Sequence, residues 1–143
     1  MDGKMKIFNK SILVCSILCA MFISCKTTEI VISNDASELE IIQTAQTAFD
    51  NGDKEGALKC YNKLLQLYGV NTATYVEGRY EIGHILLKEK KYEEAADIFL
   101  EILEIYDNSP YGTIPRNFER LAYNDLLKIP VSTVEKVRAK RAE

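Results

Sequence analysis

Residues 52–68, GDKEGALKCYNKLLQLY, and residues 90–106, KKYEEAADIFLEILEIY, are two copies of one pattern. The offset is 38 throughout, setting Ala57 against Ala95, Tyr61 against Phe99, Leu64 against Ile102 and Tyr68 against Tyr106. Within each copy the apolar residues recur at spacings of three and four, the period of one face of an α-helix. The same offset relates Ala45 to Gly83, and Ala122 lies a further 39 residues on. Small residues recurring at a fixed period let paired helices approach closely, and a period of this size marks a stacked repeat.

The flanking residues extend the helical reading in both directions. A first helix opens at the capping-box-like Asp35-x-x-Glu38, runs through Leu39, Ile42, Ala45 and Phe49, and breaks at Asn51-Gly52-Asp53. The second covers about residues 54–68 and ends at Gly69; the third covers about 73–88 and the fourth about 92–106. A turn-rich loop, Asp107 to Gly112, precedes a fifth helix over about 115–128, which Pro130 stops. Ser132-x-x-Glu135 reads as another capping box, opening a short last helix to about residue 142. Residues 29–33, EIVIS, have strand composition but no partner strand, and read as an extended linker.

The repeated unit resembles the tetratricopeptide repeat. That family places a small residue near the middle of the first helix of each pair. In the second helix it places an Ala, an aromatic four residues later, and an apolar residue three beyond that. Ala57, Tyr61 and Leu64 match in one copy, and Ala95, Phe99 and Ile102 in the other, over about residues 36–129. The period exceeds the family's usual 34 by four, the Pro that often ends a repeat is absent at Gly69, and the last unit is degenerate, with Arg138 at the aromatic position. The resemblance implies an all-α, right-handed stack of antiparallel helix hairpins, two repeats plus a capping pair. It also implies that the first helices line a shallow groove for a protein or peptide. In that register Phe49, Tyr75, Tyr80, His84 and Leu87 are the expected groove and partner-binding residues. With two repeats, a modest-affinity interaction or self-association is expected. The ending Leu103-x-x-Tyr-Asp-x-Ser-Pro110 is similar to periplasmic tetratricopeptide lipoproteins of the outer-membrane assembly type.

The N-terminus carries an address. Lys4, Lys6 and Lys10 precede an apolar run from Ile12 to Ile23, followed by Ser24 and Cys25. A basic start, an apolar middle and a small residue before a cut form the secretory layout. Twelve apolar helical residues span about 18 Å, against about 30 Å for a bilayer core, so a spanning helix is the weaker reading. Phe22-Ile-Ser-Cys25 resembles a lipobox, with Phe22 in place of the usual Leu. The resemblance implies cleavage before Cys25 and a diacylglyceryl group on its thiol. An ordinary signal peptide or an uncleaved anchor are the alternatives. The expected division is a signal peptide at 1–24, a lipidated tether at 25–34 and a helical domain at 35–143. Lys26 is not the aspartate that holds such lipoproteins at the inner membrane, so the resemblance implies the outer membrane, periplasmic face.

Charge and composition exclude several functions. Residues 1–24 hold three lysines and one aspartate, so they carry +2 of a whole-chain −3 and leave −5 on residues 25–143. Such a balance argues against nucleic acid, whose binding rests on phosphate neutralisation. Cys60 is the one cysteine beyond Cys25, too few for a disulfide framework or a zinc site. It reads as a packing residue rather than a reactive thiol. His84 is the only histidine, and no nucleophile motif accompanies it, so no enzyme and no cofactor are expected. Glu93, Glu94, Asp97, Glu101 and Glu104 read as a solvated helix face with ion pairs rather than a metal cluster. The basic tail Lys136, Arg138, Lys140 and Arg141 reads either as a helix end or as a contact for anionic headgroups. A small-ligand-binding accessory of a transport system is the second functional reading. It needs a closed pocket that no cluster of groove polar residues foretells.

Overall fold

A computed structural model describes residues 30–143. The signal segment, Cys25 and the first part of the expected tether lie outside the described residues. Six helices follow in order: α1 Glu38–Asp50, α2 Lys54–Tyr68, α3 Thr72–Lys88, α4 Tyr92–Asp107, α5 Asn117–Leu126 and α6 Val131–Arg141. There is no strand among the described residues, so the fold is the expected all-helical, tetratricopeptide-like stack.

The repeat register is the packing register. Ala57 and Ala95, Tyr61 and Phe99, and Leu64 and Ile102 are all buried, so equivalent positions of α2 and α4 sit in equivalent seats. α3 comes closest to each of its two neighbours at a glycine. A Cβ at Gly78 would lie 2.8 Å from Leu65 Cδ2 of α2, and one at Gly83 would lie 2.8 Å from Phe99 Cε1 and 3.0 Å from Ile98 Cγ2 of α4. The turns repeat as well. Gly52 (φ 81°) precedes α2, and Lys90 (φ 62°), 38 residues on, precedes α4 in the same left-handed conformation. Glycine takes that conformation freely and lysine does not.

Helix ends depart from expectation where two signals compete. The first capping box is Ser37 with Glu40, not Asp35 with Glu38. Ser37 Oγ accepts from the Glu40 amide, and Glu40 Oε2 accepts from the Ser37 amide at 2.8 Å. This start leaves Glu38 free to accept from Thr74 Oγ1 at 2.8 Å, while Asp35 accepts from the Ser33 hydroxyl. The second expected box, Ser132 with Glu135, does not form. Pro130 is the N-cap, with no side-chain cap bond, and Ser132 lies inside α6. The fifth helix is shorter than expected, Asn117–Leu126 rather than 115–128, because Pro115 belongs to the loop and its carbonyl accepts from Tyr106 Oη at 2.6 Å. The tether is also shorter than expected: Ile30 and Ile32 pack on the core, and Tyr68 Oη donates to the Ala36 carbonyl at 2.8 Å.

The acids of α4 and the basic tail prove to be partners. α6 packs on α4, where Lys136 Nζ lies 2.6 Å from Glu93, and Arg141 lies 2.7 Å from both Asp97 and Glu104. These exposed pairs contribute at most about 1 kcal/mol each, but they fix where α6 lies.

Gly83→Ala should destabilise the chain, because overpacking of about 1–3 kcal/mol exceeds the roughly 1 kcal/mol gained in helix propensity. Urea denaturation should show that loss shrinking in a Phe99→Leu background, where the neighbour has been trimmed. Lys90→Gly should stabilise by about 0.5–1 kcal/mol, since the left-handed residue loses its Cβ strain, with a raised denaturation midpoint as the measure.

Candidate functional site

α3 is surrounded on three sides and open on the fourth. Gly78 faces α2, Gly83 faces α4, and Tyr80 faces α5 through the Phe118 ring, 5.5 Å between centroids. The remaining side carries Glu77, Glu81, His84 and Lys88, a row at spacings of four, three and four. α1 runs beside this row in the same direction. Its first residue, Glu38, accepts from Thr74, and near its end Phe49 meets the His84 ring edge-on at 6.2 Å. The first helices of successive pairs thus share one face.

The centre of the α3–α5 contact is a buried carboxylate. Asp125 is 3% exposed, and its Oδ2 accepts from Tyr80 Oη at 3.1 Å and from His84 Nδ1 at 2.7 Å, while Oδ1 accepts from Lys128 Nζ at 2.6 Å. Burial alone would raise its pKa. The hydrogen bonds from Lys128 and His84, with their charges, outweigh burial and hold it below the ordinary aspartate value. An ionised carboxylate only accepts, so His84 donates from Nδ1 and Tyr80 donates its hydroxyl. Burial, and then the Asp125 charge, push the Tyr80 hydroxyl far up, so it stays protonated as this bond requires.

Of the five residues expected to meet a partner, the structure brings Phe49 and His84 together on the open face. Tyr80 is a correction: it is buried between Phe99, Phe118 and His84, where it holds α5 rather than lining an open groove. The reason is that α5 folds over the turn of α3 that the groove register left uncovered. Tyr75 lies on another side, its hydroxyl donating to Glu101 of α4, which also pairs with Arg79. Leu87 packs against the core. The residues that sequence reasoning passed over are Glu77 and Glu81. Both are partly buried, and neither has an ion-pair partner among the described residues. Burial first, and then neighbouring acids, raise both carboxyls above the usual glutamate range: Glu38 acts on Glu77, and Glu77 and Asp125 act on Glu81, with His84 opposing. Their spacing of four, ending at His84, was the available signal.

Phe49 and Tyr80 flank the His84 ring, and no hydroxyl or thiol nucleophile hydrogen-bonds it among the described residues. Cys60 is buried, and burial raises its thiol pKa, which makes it inert. Among the described residues no group of three or more His, Cys, Asp or Glu side chains is placed to hold a metal ion.

The tetratricopeptide repeat family matches residues 76–109, which span most of α3, the turn at Lys90 and all of α4. A repeat of this kind is therefore present, and such repeats generally mediate binding of protein partners as non-catalytic scaffolds. The chain is similar to an uncharacterized protein of Treponema pallidum (strain Nichols), 25% identical over 105 residues. That alignment takes in 73% of this chain and 42% of the relative, so the chain spans less than half the relative's length. No solved structure matches the chain.

Asp125→Asn should lower stability at pH 7 by about 1–3 kcal/mol, because it removes the charge that its donors face. The native aspartate titrates below its unfolded value, so its contribution is complete above that value and is lost as pH falls through the folded one. Urea titrations of the two proteins should therefore differ at pH 5–7 and converge towards pH 3 and below.

Proposed function

We propose that the chain is a membrane-tethered, non-enzymatic lipoprotein whose helical repeats bind a protein or peptide partner in the cell envelope. The observation that carries this reading is the open face of α3, flanked by α1, where Phe49 and the His84 ring stand together. Stacked repeats present such faces because each hairpin buries its other sides against its neighbours. Phe49 and His84 offer a partner an aromatic contact there, and Tyr80 and Asp125 fix the His84 ring beneath it.

The tether in this proposal is Cys25, acylated after cleavage of residues 1–24. Its support is the basic start, the apolar run and the Ser24-Cys25 junction. Among the described residues no helix is long and apolar enough to cross a membrane. Several acyl chains on one cysteine make anchoring durable, since each buried methylene adds about 0.8 kcal/mol. Lys26 favours the outer membrane, periplasmic face. The five residues from Cys25 to Glu29 are a short link to the docked Ile30, so the partner is met close to the lipid surface.

The full chain expressed in a bacterial host should carry acyl mass on its N-terminal peptide and sediment with membranes. Cys25→Ala should lose the mass and move to the soluble fraction; membrane retention of that variant would remove the lipid tether. Pull-down of the full chain from gently solubilised native membranes should recover a protein that Phe49→Ala/His84→Ala loses. The chain recovered alone in every repetition would sink the partner-binding reading.

A further inference from the structure

The turns at 51–53, 89–91 and 127–130 lie at one end of the helix stack. α1 to α4 are neighbours joined by short turns and alternate in direction, so the first two turns share an end. α5 reaches that end as well, because Phe118 meets Tyr80 and Asp125 meets His84, one turn further along α3. α6 starts there and runs beside α4, with Lys136 at Glu93 and Arg141 at Glu104. The chain also enters at this end. Ile30 Cδ1 lies 2.7 Å from where a Cβ would stand on Gly56, in the first turn of α2. The residues after it run along α2, with Asn34 bonded to Lys63 and Ala36 to Tyr68. Cys25 stands five residues before Ile30, at most about 17 Å of chain.

This end differs from the rest of the surface in charge. Residues 50–54, 88–91 and 127–131 hold five lysines against three acids, whereas residues 30–143 together hold 14 cations against 19 acids. Asp53 is spent on capping α2, and Glu89 is paired with Lys91. Lys54, Lys88 and Lys90 have no ion-pair partner among the described residues. Lys90 keeps a left-handed turn where the equivalent Gly52 is free of strain, and a side chain held at such a cost points to a use outside the fold. Apolar side chains stand among these lysines. Leu127 is 66% and Val131 71% exposed. Lys88 is one turn past His84 and Leu127 is two residues past Asp125, so the His84–Asp125 bond brings both to one corner. The opposite end also shows apolar residues, Val70 and Tyr111. Its residues 33–37, 69–71 and 107–116, however, hold Asp35, Asp107 and no lysine, and their one cation, Arg116, is tied to Glu119.

We propose that the end of the stack where the tether enters docks on an anionic lipid surface. Leu127 and Val131 sit at the boundary of headgroups and acyl chains, and Lys54, Lys88 and Lys90 meet the phosphates. Exposed apolar side chains flanked by lysines suit that boundary, because the lysine stems lie along apolar surface while their ammonium groups reach the headgroups. The proposal rests on the Cys25 tether above, which brings this end to the membrane. Docking stands the helices across the lipid and sets the Phe49–His84 face about one helical turn above it.

The chain has no Trp, so a single introduced one reports its own surroundings. The acylated full-length chain carrying Val131→Trp is reconstituted into vesicles of phosphatidylcholine with one-third phosphatidylglycerol. Val70→Trp, at an exposed apolar position of the opposite end, is reconstituted beside it. Lipids brominated on the upper part of their acyl chains should quench the Val131→Trp chain at least twofold and leave the Val70→Trp chain unchanged. Removing the phosphatidylglycerol, or adding Lys88→Gln/Lys90→Gly to the Val131→Trp chain, should abolish most of that quenching. Lys90→Gly relieves strain in its turn, so quenching lost without a lower melting temperature is lost docking and not lost structure. A chain retained on the vesicles with both reporters quenched alike, or neither, would overturn the docked end and leave the tether standing. Quenching indifferent to phosphatidylglycerol and to the two lysines would do the same. So would a blue shift without quenching that grows with protein concentration, which marks a second copy on this corner. A chain that carries no acyl mass and washes off the vesicles would overturn tether and docking together.

Discussion

The close approach of α3 to α2 and α4 is the constraint on which the rest of the structure depends. Gly78 and Gly83 lie five residues apart and face different helices, so α3 comes close to each neighbour at a position where a Cβ would collide. That spacing sets where every other face of α3 points. Tyr80 is turned towards α5, and Glu77, Glu81 and His84 are left on the remaining side. A helix held at two backbone-close contacts cannot roll, so the groove residues are fixed by packing on the opposite faces.

Much of this was legible in the sequence because the repeat register is a packing register. An offset of 38 that relates Ala57 to Ala95 and Tyr61 to Phe99 also relates Gly52 to Lys90, and both members of that last pair adopt positive φ. The fold demands the left-handed turn strongly enough to impose it on a lysine. What the sequence did not decide was the choice between overlapping local signals. Asp35-x-x-Glu38 and Ser37-x-x-Glu40 both spell a capping box; the second forms, and Glu38 accepts instead from Thr74, 36 residues on. Pro130 displaces the Ser132 box in the same way, by occupying the cap first.

The site was less legible for a related reason. Tyr80 and His84 belong to the groove register of a single repeat, but whether a groove residue stays open depends on the next helix along. α5 closes over Tyr80 and presents Asp125 to it, and Asp125 lies 45 residues away in the chain. Periodicity within α3 assigns faces to residues; it says nothing of what lies against each face. Tyr75 shows the same limit from the other side, since its hydroxyl is spent on Glu101.

The electrostatics of the folded chain divide its carboxylates into two kinds. Asp125 is the more deeply buried, yet its pKa is lowered because three donors converge on it, so its charge supports the native state. Glu77 and Glu81 are less buried, yet burial first and neighbouring acids next raise their pKa values, and neither has an ion-pair partner among the described residues. Burial without partners costs stability, whereas burial with three partners does not. A structural role is therefore sufficient to account for Asp125, which ties α5 to α3. It does not account for the glutamates: removing either charge would relieve the native state.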